Sequence, residues 1–166
     1  TSNAVRPAVA NMSLGGGVST ALDNAVKNSV ATGLFYSVGA GNSGADACTS
    51  SPPRAGAGTS NGIMTTAATD INDNEASWSN FGSCVDIWAP GVGILSTRRG
   101  GGKTSVSGTS MGSPHVGGAA AVHLSSPPPP APAAVESALK SAAVATGTTS
   151  KNGAAIKMVC AGTCGS

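Results

Sequence analysis

Residues 107–124, Ser-Gly-Thr-Ser-Met-Gly-Ser-Pro-His-Val-Gly-Gly-Ala-Ala-Ala-Val-His-Leu, constrain this chain more than any other stretch. A glycine turn runs into a helix, and Ser110 stands at the joint. The first N–H groups of a helix have no intrahelical partners, so they supply positive potential that favours an oxyanion beside the serine. Beyond the joint, Gly117, Gly118, Ala119, Ala120 and Ala121 combine poor glycine propensity with very little bulk, which predicts that other elements approach this helix closely. The segment reads as a buried central helix with a reactive group at its N-terminal end. A serine at such a joint is either a helix cap or a nucleophile, and its surroundings must decide.

The chain before it builds an α/β frame. Residues 7–15 begin as a buried strand and end in Ser13-Leu-Gly-Gly-Gly17, an edge able to pair with an extended peptide or simply to turn. Residues 20–32 follow helix rules. Thr20 caps with Asp23 three residues on, Leu22, Ala25, Val26 and Val30 form a stripe, and Gly33 closes the helix. Residues 34–38 are then a strand, which completes a βαβ unit and predicts a parallel sheet. That strand runs into Gly39-Ala-Gly-Asn-Ser-Gly44, at the carboxyl end where α/β folds place chemistry. Asn42 there is an ordinary turn residue or a neutral amide donor for a developing oxyanion.

Residues 63–68 form a third strand, 92–97 are a short extended piece and 98–103 a basic, flexible, solvated loop. After the stiff prolines at 127–130, Pro132 starts a helix with Val135, Ala138, Leu139 and Ala142 on one face and Glu136 paired with Lys140. From residue 147 to 166 the pattern is weak. The 166 residues read as a single domain, long enough to bury a core: a parallel β-sheet with flanking helices.

A net charge of +2 without a basic cluster makes no case for nucleic acid, no apolar run approaches membrane-spanning length, and no organic cofactor is implied. The chain starts at Thr1 with no signal peptide, as a processed or excised piece would. Four cysteines lack the spacing and the nearby histidines of a metal site, so disulfides and a secreted, oxidising setting are expected.

Gly108-Thr-Ser-Met-Gly-Ser-Pro-His-Val116 resembles the nucleophile segment of the subtilisin-like serine proteases (subtilases, peptidase family S8), whose usual form is Gly-Thr-Ser-Met-Ala-Thr-Pro-His-Val. The departures, Gly112 and Ser113, exchange small residues for small ones. Ser13-Leu-Gly-Gly16 resembles that family's substrate-binding strand, Ala40-Gly-Asn42 the segment carrying its oxyanion asparagine, and Trp78-Ser-Asn-Phe-Gly82 and Val85-Asp-Ile-Trp-Ala-Pro-Gly91 its segments leading to a fourth strand. Asp46-Ala-Cys48 and Gly82-Ser-Cys84 look like a disulfide pair of the proteinase-K-like branch, implying a Cys48–Cys84 bridge, with Cys160–Cys164 expected as the other pair. The resemblance implies a three-layer endopeptidase fold acting on polypeptide through an acyl-enzyme on Ser110. Asn42 would then be the oxyanion donor, and Ser13, Leu14, Gly15, Gly16, Ala40 and Gly41 would bind substrate. It also implies structural calcium at Asp86, with backbone carbonyls near Asn61 and Ile63.

An activated serine needs a base, and the base needs an orienting group. Subtilases supply them in the order Asp, His, Ser, yet no histidine precedes Ser110 here, so the resemblance covers only the C-terminal half of the family's domain. His115 lies about 140° around the helix from Ser110 and His123 about 20 Å along it, so neither reaches the hydroxyl. His115 matches a histidine that subtilases keep packed inside this helix, and His123 belongs on its flank. Three readings stay open. The favoured one is the nucleophile half of an endopeptidase, partnered by the N-terminal half or by a second copy. The second is an esterase-like hydrolase through the Gly-x-Ser-x-Gly at 108–112, although Glu136 is the only acid that follows and no histidine lies beyond it. The third is a non-catalytic peptide-binding remnant. A parallel sheet cut along its length exposes an edge and apolar faces, so self-association is expected.

Overall fold

A computed structural model of the chain describes residues 3–162 and 164. Its centre is a six-stranded sheet whose strands lie in the order Ala8–Met12 (β1), Leu34–Gly39 (β2), Ile63–Thr69 (β3), Ile87–Pro90 (β4), Ala155–Met158 (β8) and Val144–Thr149 (β7). The strands β1 (Ala8–Met12), β2 (Leu34–Gly39), β3 (Ile63–Thr69) and β4 (Ile87–Pro90) are parallel, as the βαβ pattern predicts. Every residue of β2 and β3 is buried, as strands covered on both faces require.

Successive side chains of β2 point to opposite faces and so belong to different cores. Phe35 packs with Val116, Ala119 and Ala120 of α2 (Thr109–Leu124) and with Val135 and Leu139 of α3 (Pro132–Ala142). Leu34, Tyr36 and Val38 pack with Val26 of α1 (Thr20–Val30). Helices on both faces of one sheet make three layers.

The small residues of α2 do what their size predicts. A methyl added at Gly112 would lie 3.3 Å from Thr66 Cγ2 and 3.4 Å from Ala67 O, and Val116 and Ala120 are wholly buried. The helix is buried on one side only, however. Pro114, His115, Gly118, Ala121, Val122 and His123 form an exposed stripe that none of the described residues covers. The packed imidazole expected at His115 is therefore exposed instead, with Nδ1 2.8 Å from the Met111 carbonyl. At the sheet's edge, β1 pairs with β2 alone.

Three further expectations change. The cap of α1 is Ser19, whose Oγ accepts from Leu22 N at 3.3 Å; Thr20 is already helical, and Asp23 turns inward to hold Arg54 Nε at 2.6 Å. The basic loop is the tip of a hairpin formed by β5 (Ile94–Thr97) and β6 (Lys103–Val106). The weakly patterned end forms β7 (Val144–Thr149) and β8 (Ala155–Met158), and β8 joins the central sheet beside β4. Sequence periodicity misses this hairpin because only Ile156 of the two strands is fully buried. Polar contacts secure it instead. The Lys151 ammonium donates to the carbonyls of Ala76 (3.2 Å), Ser77 (2.9 Å) and Ser79 (2.5 Å) and stands 5.1 Å over the Phe81 ring. Buried Glu75 accepts from Trp88 Nε1 and Ser150 Oγ, each at 2.9 Å.

Cys48–Cys84 and Cys160–Cys164 are both disulfide-bonded. The first closes a loop of sequence separation 36, tying the segment after β2 to the entry of β4. Replacing both of its cysteines by serine removes that constraint on the unfolded chain. The expected loss, read by chemical denaturation, is about 4 kcal/mol.

Candidate active site

The N-terminal turn of α2 stands against the carboxyl ends of β1 and β2. There, Ser110 and Ser13 clasp each other: Ser110 Oγ donates to the Ser13 carbonyl at 3.2 Å, and Ser13 Oγ donates to the Ser110 carbonyl at 2.8 Å. A polar ladder behind them joins the strands to the helix. Buried Ser37 Oγ donates to the Ser113 carbonyl (2.7 Å), Ser113 Oγ to Asn11 Oδ1 (2.6 Å), and Asn11 Nδ2 to Ser13 Oγ (2.9 Å). Ser113, which departs from the usual threonine, keeps the hydroxyl this ladder needs.

Asn42 approaches from the loop after β2. Its Oδ1 accepts from Thr109 N (2.8 Å) and Thr109 Oγ1 (2.9 Å), which orients the amide and turns Nδ2 away from Thr109. A carbon built on Gly108 Cα would lie 3.4 Å from Asn42 Nδ2, 3.6 Å from Ser110 N and 3.8 Å from Ser110 Cβ. One point beside Gly108 is thus shared by an amide donor, a helix N-terminal N–H and the serine side chain. Donors gathered beside a serine side chain are the elements from which oxyanion sites are built.

The loop carrying Asn42 is held by Asn80, a buried residue that sequence reasoning passed over. Its Nδ2 donates to the Ala40 carbonyl (2.9 Å), its Oδ1 accepts from Ser43 N (3.0 Å) and Ala45 N (3.1 Å), and its own N–H reaches the Gly41 carbonyl (2.8 Å). Thr109 was passed over as well; its Oγ1 also accepts from Gly41 N at 3.1 Å. The signal for Thr109 was its place inside the nucleophile motif. Asn80 offered none beyond its flanking Trp78 and Gly82.

Leu14, Gly15, Gly16, Gly41, Asn42 and Ser110 line one cavity of about 230 Å³, with no charged side chain in its wall. Ser13 lies beside it through the clasp, while Ala40 is wholly buried beneath, its carbonyl taken by Asn80. The histidines stand apart from this site. His115 is tied to Met111, and His123 lines a different cavity with the proline-rich loop.

The sequence profile described as "Subtilase family" matches residues 3–158, and the chain belongs to that family. It is 45% identical over 157 residues to the alkaline serine exoprotease A of Vibrio alginolyticus, covering 95% of this chain and 28% of that protein. With the extracellular serine proteinase of Thermus sp. (strain Rt41A) it shares 48% over 141 residues, 84% of this chain and 33% of that one. The crystal structure of a cold adapted subtilisin-like serine proteinase superposes with a TM-score of 0.89 at 42% identity, over 96% of this chain and 57% of that chain. The chain therefore spans about a third or less of the length of the curated relatives it matches. Among the described residues, no helix is long and apolar enough to cross a membrane.

Subtilases commonly bind calcium, but the residues around Asp86 do not fit that ion. Asp86 Oδ2 accepts from Thr65 N at 2.7 Å, and Oδ1 meets the Lys140 ammonium at 2.6 Å. The N–H groups of Asn61 and Gly62 both point at Glu136 Oε2, at 2.8 Å each. Calcium needs about six to eight oxygens, and here the one carboxylate expected to hold it is already taken by the Lys140 ammonium and the Thr65 N–H. Burial pushes the Asp86 carboxyl up to about 6, against the hydrogen bonds from Lys140 and Thr65 that favour its charge. Burial alone would lower the Lys140 ammonium, but hydrogen bonds to Asp86 and Glu136 outweigh it and hold the group above its ordinary value.

Gly41 has φ +107°, and a Cβ there would lie 2.4 Å from Asn80 Nδ2. Gly41→Ala combines backbone strain with displacement of the loop's anchor, so a loss of about 2–4 kcal/mol is expected from thermal or denaturant unfolding.

Proposed function

We propose that this chain carries the nucleophile half of a serine endopeptidase site. The observation that supports this most is the convergence of Ser110, its own N–H and the Asn42 amide on one point beside Gly108. In this reading an extended polypeptide pairs with Ser13–Gly16, and the side chain preceding the scissile bond enters the uncharged cavity. Ser110 Oγ adds to the carbonyl carbon and the carbonyl oxygen becomes the oxyanion. Asn42 Nδ2 and Ser110 N–H then donate to that oxygen, with the helix N-terminus adding its potential. Collapse of the adduct releases the amine and leaves an acyl group on Ser110, which water removes.

The proton on Oγ must go to a base, and no group among the described residues serves. Its acceptor here is the Ser13 carbonyl, and His115 Nδ1 is tied to Met111. The same lack weighs against an independent esterase built on Gly108-Thr-Ser-Met-Gly112. We assign the base and its orienting carboxylate to the N-terminal half of the catalytic domain. That half docks on the exposed stripe of α2 and the free edge of β1, and a second copy of the chain takes its place when it is absent. The setting is extracellular, a reading that two disulfides and the name of the Thermus relative support.

A fluorophosphonate label on the purified chain tests this, with Ser110→Ala as the blank. Slow, incomplete labelling that vanishes in the blank is expected; fast stoichiometric labelling would reveal a base inside the chain and overturn the half-site reading. In subtilisin itself, oxyanion hole and binding without the triad retain about 10³–10⁴-fold over water, and loss of the oxyanion asparagine costs about 10²–10³ in kcat. Asn42→Ala should therefore cut the labelling rate on the order of a hundredfold. Gly108→Ala puts a methyl where the oxyanion would sit, at ordinary contact distances, so it should abolish labelling while leaving the melting temperature nearly unchanged.

A further inference from the structure

We infer that the Lys140 ammonium is this chain's built-in replacement for a metal ion at Asp86, a tethered cation that fastens α3 to the sheet and excludes calcium from that position. Two carboxylates meet there away from solvent: the Glu136 side chain is 0% exposed and that of Asp86 is 7% exposed. Paired buried carboxylates without a compensating positive charge are strongly unfavourable. Lys140 bridges them, 2.6 Å from Asp86 Oδ1 and 2.5 Å from Glu136 Oε1. The other two oxygens are met by backbone donors, Thr65 N on Asp86 and the N–H groups of Asn61 and Gly62 on Glu136. All four carboxylate oxygens are thus satisfied without a metal.

The spacing explains how one lysine reaches both acids. Glu136 and Lys140 are one turn apart on the inner face of α3, so their side chains lie side by side. Asp86 faces them from the entrance to β4. An ammonium is a compact point charge with three donors, and two of them are engaged here. Because it is covalently attached, its contribution is independent of solute concentration, whereas stabilisation by a bound ion grows with the free ion.

The experiment compares the native chain, Asp86→Asn, Lys140→Ala and the double variant. Each is titrated with Ca²⁺ while the thermal midpoint is followed, and with Tb³⁺ while tryptophan-sensitised emission is followed. The emission needs no reversible unfolding transition, and the Asp86→Asn chain subtracts any binding elsewhere. The native chain should match Asp86→Asn in both titrations and keep its midpoint in chelator. Lys140→Ala should acquire a calcium-dependent midpoint, with cation affinity at least about tenfold above the native chain, and lose both in the double variant. If Lys140→Ala folds only when calcium is present, that dependence is the expected gain. A calcium or terbium response of the native chain that disappears in Asp86→Asn would overturn the inference. So would a Lys140→Ala chain that gains no response over the native one.

Discussion

The first turn of α2 stands within van der Waals reach of two strand ends, and everything at the site depends on that approach. Gly91 shows how little room there is: a Cβ on it would lie 2.4 Å from Ala68 Cβ and 2.9 Å from the Gly108 carbonyl. Such proximity lets the Gly91 carbonyl take the Gly108 N–H at 2.8 Å, which aims the helix axis at the cavity rather than past it. The alanine-rich body then serves the same end. Val116, Ala119 and Ala120 seat the helix flat on the sheet, so its N-terminal N–H groups and the amide of Asn42 keep a fixed separation. Preorganised donors of this kind stabilise charge without reorganising when it appears.

Polar side chains carry the precision that apolar packing cannot. The ladder through Ser37, Ser113, Asn11 and Ser13 registers two strands against the helix, and Asn80 holds four backbone groups of the Asn42 loop. Except for the exposed Asn11–Ser13 step, each link is buried or half-buried, so breaking one leaves an unpaired polar group rather than a lost contact with water. Lys140 follows the same logic at the amino ends of β3 and β4, where charge rather than geometry has to be balanced.

What could be read from the amino acids follows the range of the signals. Ser110 and Asn42 lie in short contiguous motifs, and α1 and α3 show stripes within a few turns, so local order revealed them. Asn80 reaches a loop 40 residues earlier and Ser113 a strand 76 residues earlier, and no local pattern encodes those pairings. Lys140 read as the partner of Glu136 alone, because Asp86 comes to it only through the stacking of α3 on the sheet. The hairpin of β7 and β8 escaped because it is threonine-rich and mostly exposed, held by Lys151 and Glu75 rather than by an apolar face. The packed histidine at position 115 failed for the opposite reason: the resemblance supplied a neighbour that these residues do not contain.

The Lys151 clasp sets an order of assembly. It binds the carbonyls of Ala76, Ser77 and Ser79, immediately before the asparagine that steadies the loop of Asn42. During vectorial synthesis the serine and both parallel strands beside it emerge well before that lysine. Asn42, Asn80 and Ser110 are thus all in place along the chain before Lys151 is added, and the support of the segment leading into Asn80 is the last piece of this corner to be supplied.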